Sequence, residues 1–106
     1  MRKITEESIN AFLNRTNFSK ANMQVKNENK ETRLKLHGNT IAILNEFNEL
    51  FITNCGWESN TTKERLNGLI NEYLGFPNCI GKGIYQKNFQ WFLNGELWNG
   101  ELTKIK

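Results

Sequence analysis

The chain contains no aspartate, one histidine, one proline and two cysteines among 106 residues. Each shortage removes a class of chemistry. Aspartate is a habitual ligand of Mg²⁺ and Ca²⁺, so its absence argues against a dedicated hard-cation centre. With His37 alone, neither a multi-histidine metal site nor a paired-histidine catalyst can be assembled. Cys55 and Cys79 lie in different segments without CxxC spacing, and they read as reduced, half-buried side chains. There is no run of about 18 apolar residues, which excludes a membrane-spanning helix and leaves no expectation of a membrane partner. The opening Met-Arg-Lys-Ile-Thr-Glu-Glu lacks the apolar stretch of a secretory signal. Gly81-Lys-Gly83 is too short to cradle phosphate, and no Walker loop or GxGxxG is present.

The remaining candidates for catalysis are isolated. Cys55 in Thr53-Asn-Cys-Gly-Trp57 has no basic neighbour to lower its pKa. His37 reads as a solvent-exposed residue beside a turn, without a positioned partner. The carboxylate pairs Glu6/Glu7, Glu46/Glu49 and Glu96/Glu101 are far apart in sequence. No enzyme is expected, a small hydrolase being the last of the alternatives, and no cofactor or metal.

What the chain does have is sheet register. In Ile84-Tyr-Gln-Lys-Asn-Phe-Gln-Trp-Phe-Leu-Asn-Gly-Glu-Leu-Trp98, the dipeptide Asn94-Gly95 suits a two-residue hairpin in which both central residues need φ > 0. That turn pairs Leu93 with Glu96, Phe92 with Leu97 and Trp91 with Trp98. A second turn at Lys87-Asn88 pairs Ile84 with Trp91. Alternation then puts Ile84, Phe89, Trp91, Leu93 and Trp98 on one face, and Tyr85, Phe92 and Leu97 on the other.

The N-terminus reads as a helix with Thr5 as its cap and Ile9, Phe12 and Leu13 as its apolar stripe. It ends between Asn14 and Asn17. A meander follows. Met23 and Val25 alternate with polar residues, and so do the apolar positions of Thr32-Arg-Leu-Lys-Leu-His37. A turn at Gly38-Asn39 sets Leu36 against Ile41 and Leu34 against Ile43, and another strand lies near Leu50-Phe-Ile-Thr53. A second helix begins with Thr61 and Glu64 as a capping box and carries the stripe Leu66, Leu69, Ile70, Tyr73, Leu74. Gly75 and Pro77 end it. The order predicts a single α+β domain over residues 1–106, with antiparallel hairpins of about seven strands and two packed helices.

Net charge is only +3, but it is unevenly spread. Residues 1–35 carry eight Lys/Arg against four Glu, residues 36–61 three Glu and no Lys or Arg, and residues 62–106 six against four. A polarised surface of this kind steers a partner. Tyr85, Phe92 and Leu97 are the leading candidates for a partner surface, as contiguous apolar residues on a face away from the tryptophans. Trp57, Lys63, Arg65 and Lys87 are weaker ones. They enter an alternative in which aromatic and basic side chains bind a nucleic acid or nucleotide. Self-association through the apolar face is a further expectation.

Three stretches carry a resemblance: Leu34-x-Leu-His-Gly-Asn-x-Ile-Ala42, Gly56-Trp-x-Ser-x-Thr-Thr-Lys-Glu-Arg-Leu-Asn67 and Gln86-Lys-x-x-x-Trp-x-Leu-Asn-Gly-x-x-Trp-x-Gly100. With these the chain resembles a family of small, uncharacterised proteins of tailed bacteriophages. It departs from that family's pattern between Asn71 and Gly83, where Phe76-Pro-Asn-Cys-Ile80 is extra. The resemblance implies a phage accessory protein in host cytoplasm that binds and inhibits or modulates a host protein, an antiviral-defence component among the candidates.

Overall fold

The computed structural model describes residues 3–56, 59–74, 83–88, 90–93 and 95–105. Helix α1 (Lys3–Leu13) turns Ile9 and Phe12 fully inward. It closes with a Schellman arrangement: the Arg15 N–H donates to the Phe12 carbonyl at 3.1 Å and the Thr16 N–H to the Ala11 carbonyl at 2.8 Å. The left-handed residue this requires is Arg15 (φ 56°) rather than a glycine. Its side chain supplies the compensation. The guanidinium donates to the Leu44 carbonyl (3.2 Å), Thr32 Oγ1 (3.2 Å) and Asn48 Oδ1 (3.0 Å), tying the helix end to the sheet.

The strands β1 (Phe18–Lys20), β2 (Met23–Glu28), β3 (Glu31–Leu36), β4 (Asn39–Leu44) and β5 (Leu50–Ile52) then form an antiparallel meander. After helix α2 (Asn60–Leu74), strands β6 (Ile84–Lys87), β7 (Gln90–Leu93) and β8 (Glu96–Leu97) make a separate three-stranded sheet. Strand β9 (Thr103–Lys104) returns to the first sheet beside β5, completing six strands in the order β1-β2-β3-β4-β5-β9. The fold is α+β with antiparallel sheets. It has nine strands among the described residues rather than about seven. The two extra ones, β1 and β9, are short edge strands with no hydrophobic alternation to announce them.

Helix α2 touches both sheets, through β4 of the first and β6 of the second, and packs along α1. One continuous core results. It gathers Ile9 and Phe12, Met23, Val25, Leu34, Leu44, Leu50 and Ile52 from the large sheet, Leu66, Leu69 and Ile70, and Ile84, Trp91, Leu93 and Trp98 from the small one.

Local details differ from the sequence reading. The β3–β4 turn is His37-Gly38 (φ 51° and 81°), one residue earlier than Gly38-Asn39. Histidine tolerates the left-handed region well enough to occupy the first turn position. Leu34 therefore pairs with Ala42, not Ile43, and a bulge leaves Ile41 as the extra residue between Thr40 and Ala42. The bulge lets Ile41 and Ala42 both be buried. In the second sheet Ile84 pairs with Leu93, not Trp91, because Asn88 (φ 53°) opens the β6–β7 turn one position later than expected. The shift is even in register, so the same residues still share each face.

Neither predicted helix cap holds. Thr5 lies inside α1, and its hydroxyl donates to Glu64 Oε1 at 2.6 Å. Ser59 caps α2 instead: the Thr62 N–H donates to Ser59 Oγ at 3.1 Å, so Thr61 and Glu64 form no capping box. Cys55 is free but exposed, in a positive-φ turn, rather than half-buried. Gly75, Pro77, Cys79 and Phe89 lie outside the described residues.

Candidate partner-binding surface

The hairpin β7–β8 has the register that Asn94-Gly95 implies, with Phe92 opposite Leu97 and Leu93 opposite Glu96. The Trp98 N–H donates to the Trp91 carbonyl at 2.9 Å, placing the two tryptophans across from each other. Their rings lie 6.3 Å apart at 41°. Trp91 is 1% exposed. Lys63 from α2 sets its ammonium 5.9 Å over the Trp91 ring, a cation–π contact that helps close this face. Trp98 Nε1 donates to Thr103 Oγ1 at 3.0 Å, so the small sheet is tied to the last strand of the large one.

Because β-strand side chains alternate, burying the tryptophans forces Tyr85, Phe92 and Leu97 outward. The register lines them up side by side across three strands, Tyr85 against Phe92 and Phe92 against Leu97. Tyr85 is 46% exposed and Leu97 65%, and Phe92 between them is half-buried. The Tyr85 and Phe92 rings stack at 5.1 Å and 9°. This makes a flat apolar row bordered by Lys87 and Gln90 at the turn end, themselves a cross-strand pair. Such a face can bury area against a partner with little loss of side-chain freedom, since two of its three members already hold each other.

The structure sorts the weaker candidates. Lys87 is exposed beside this row. Lys63 lies over Trp91, on the opposite side of the sheet. Arg65 is buried. Its guanidinium donates to Thr5 Oγ1 at 2.8 Å, to Asn22 Oδ1 at 3.4 Å and to Glu64, which makes it a clasp between α2, α1 and the β1–β2 turn and corrects its reading as a contact residue. The sequence held a signal for this. Arg65 precedes Leu66 and lies four residues before Leu69, on the inward stripe of the helix. Trp57 lies outside the described residues.

His37 is exposed in its turn, and its N–H donates to the Asn22 carbonyl at 2.8 Å. Among the described residues, no group of three or more His, Cys, Asp or Glu gathers in a metal-binding arrangement. Phe47, 74% exposed at the tip of the β4–β5 turn, escaped the sequence reading. The available signal was an aromatic residue between the turn residues Glu46 and Asn48. In this turn the Glu49 carboxylate sits 2.6 Å from the Lys104 ammonium. Lys104 and the Asn45 side chain hydrogen-bond to it and hold its pKa below the ordinary glutamate value.

Neither a curated protein nor a solved structure matches the chain. The match is to the family described as Kyanoviridae Gp96 protein, across residues 1–104, a span that includes both helices and both sheets, and the chain belongs to this family of phage proteins.

Proposed function

We propose that this phage protein is a non-enzymatic accessory protein that binds a host protein in the host cytoplasm and modulates or inhibits it, a component of antiviral defence being one candidate target. The observation that carries the reading is the outward row Tyr85–Phe92–Leu97, contiguous and apolar with Tyr85 and Leu97 exposed, on a sheet whose other face puts Ile84, Trp91, Leu93 and Trp98 into the core. Single exposed apolar residues are ordinary. A contiguous cluster led by aromatics has the composition of an interface centre. The alternative, a nucleic-acid or nucleotide binder, would need cations around these rings. Of the described basic candidates only Lys87 is on that face, because Arg65 is consumed inside the fold and Lys63 caps Trp91.

The test is a Phe92→Ser/Leu97→Ser double variant, checked for its melting temperature and used beside wild type to capture proteins from host extract. The expected result is a folded variant that loses a host protein retained by wild type. Unfolding of the variant would assign the pair to the core. Salt-sensitive retention on nucleic acid, unaffected by the double substitution, would favour the alternative.

A further inference from the structure

The hydrogen-bond pattern of the small sheet settles which backbone groups point out of its edges. Antiparallel ladders alternate between pairs that exchange hydrogen bonds and pairs that do not. The Trp98 N–H donates to the Trp91 carbonyl, so Trp91/Trp98 is a bonded pair and its neighbour Phe92/Leu97 is not. The N–H and carbonyl of Leu97 therefore point away from β7, out of the free edge of β8. On the far side of the sheet the same alternation turns the N–H and carbonyl of Ile84 out of the β6 edge. There the Asn67 side chain meets both, at 2.7 and 2.8 Å. Among the described residues nothing meets those of Leu97.

The four edges that the described strands leave are not alike. β1 carries Lys20, β6 Lys87 and β9 Lys104, and an edge lysine is a common guard against a further strand. β8 has no lysine, and its outward residue is a leucine 65% exposed. Its one charge, Glu96, belongs to the opposite face with its cross-strand neighbour Leu93. Leu97 thus offers a further strand an apolar side chain together with an unmet N–H and carbonyl.

We propose that this strand is β8 of a second copy, so that the protein forms a two-fold symmetric dimer by joining its small sheets edge to edge. An edge of this kind is its own complement. With a two-fold axis at Leu97, the second copy's β8 runs antiparallel, and each Leu97 N–H meets the other Leu97 carbonyl. The register then sets Glu96 opposite Trp98 of the second copy, which keeps the two carboxylates from facing each other. The leucines meet side by side on the outward face, and the Tyr85–Phe92–Leu97 row doubles in length. One pair of hydrogen bonds and one leucine pair make a weak contact, and because it is isologous it closes at the dimer. It takes up the edge of the sheet and leaves the outward face open, so it does not rest on the host-binding reading.

The experiment is sedimentation equilibrium on the purified protein over a concentration series reaching about 1 mM, the upper end for a weak contact. Amide hydrogen exchange at Leu97 is the local readout. Wild type should rise from the 12.4 kDa monomer and level off at twice that mass, with slower exchange of the Leu97 N–H as concentration rises. Leu97→Pro removes the outward N–H, which takes no part in the ladder with β7, and proline is tolerated at such an edge position. It should melt close to wild type and stay monomeric. Leu97→Lys, which gives β8 the guard that the other edges have, should stay monomeric too, and it decides the outcome if Leu97→Pro unfolds. Tyr85→Ser, a change on the row away from this edge, should dimerise like wild type. A wild type that stays monomeric at every concentration overturns the proposal, and so does growth beyond the dimer. A dimer that persists in folded Leu97→Pro or Leu97→Lys also overturns it, as does one lost in Tyr85→Ser, which would move the contact from the edge to the face.

Discussion

The side chain of Asn67 imitates a β-strand for Ile84. Its Oδ1 accepts the Ile84 N–H at 2.7 Å and its Nδ2 donates to the Ile84 carbonyl at 2.8 Å. Through this two-point contact, α2 holds the first residue of β6 and with it the orientation of the small sheet. Asn67→Ala would leave both backbone groups of a buried residue without their partners. It should destabilise the protein by about 1–3 kcal/mol in urea unfolding. A loss of less than a few tenths would mean that water replaces the amide and that other contacts position the sheet.

The Trp91–Trp98 pair is the heart of the same sheet. Trp91→Ala should cost about 3–5 kcal/mol, a large fraction of what a domain of this size has in total. Thermal melting within a degree or two of wild type would show that the tryptophan face is not the core of the small sheet.

Two glycines with nearly the same φ separate backbone strain from crowding. Gly95 (φ 83°) has open space where a Cβ would go, whereas at Gly100 (φ 85°) a Cβ would lie 2.2 Å from Asn54 Oδ1. Asn54 is buried, and its N–H donates to the Gly100 carbonyl at 3.1 Å. Gly95→Ala should cost about 1–2 kcal/mol from conformation alone. Gly100→Ala should cost clearly more, because Asn54 must also move. Equal losses in chemical denaturation would show that Asn54 yields freely.

Glu49 gives a pH dependence with a defined sign. Its folded pKa lies below the ordinary value of 4.5, first because Lys104 hydrogen-bonds to it and then because Asn45 does. A depressed carboxylate pKa means stabilisation that is fully present above 4.5 and is lost as pH falls through the folded value. Glu49→Gln should therefore melt below wild type at pH 7, with the gap closing under pH 4.5. The side chain is at the surface, so the gap should be small. A gap that widens in acid would reverse the assigned sign.

How much of this could be read in advance depended on whether one local signal decided the geometry. The β7–β8 register was legible because Asn94-Gly95 permits essentially one turn, and alternation then assigned Trp91 and Leu97 to opposite faces. The β3–β4 turn was not, because His37, Gly38 and Asn39 can all adopt positive φ, and only the bulge at Ile41 reconciles the turn used with the burial of both Ile41 and Ala42. Caps failed for a different reason. Thr5 has the chemistry of a cap, but Glu64 and Arg65, some 60 residues away, claim its hydroxyl. Arg65, Arg15 and Asn67 are polar residues whose roles are tertiary, and periodicity in one segment carries no record of a partner in another. The exposed row was legible as a face; its exposure depended on where α2 packed.

The central claim is that the Tyr85–Phe92–Leu97 row meets a host protein, and site-specific photo-crosslinking during infection tests it most directly. A photoreactive phenylalanine analogue is placed at Tyr85 or Leu97, and at Lys26 on the exposed part of β2 as a control. The account predicts the same host protein cross-linked from Tyr85 and Leu97 and not from Lys26. Cross-links from Lys26 alone, or to nucleic acid alone, would contradict it.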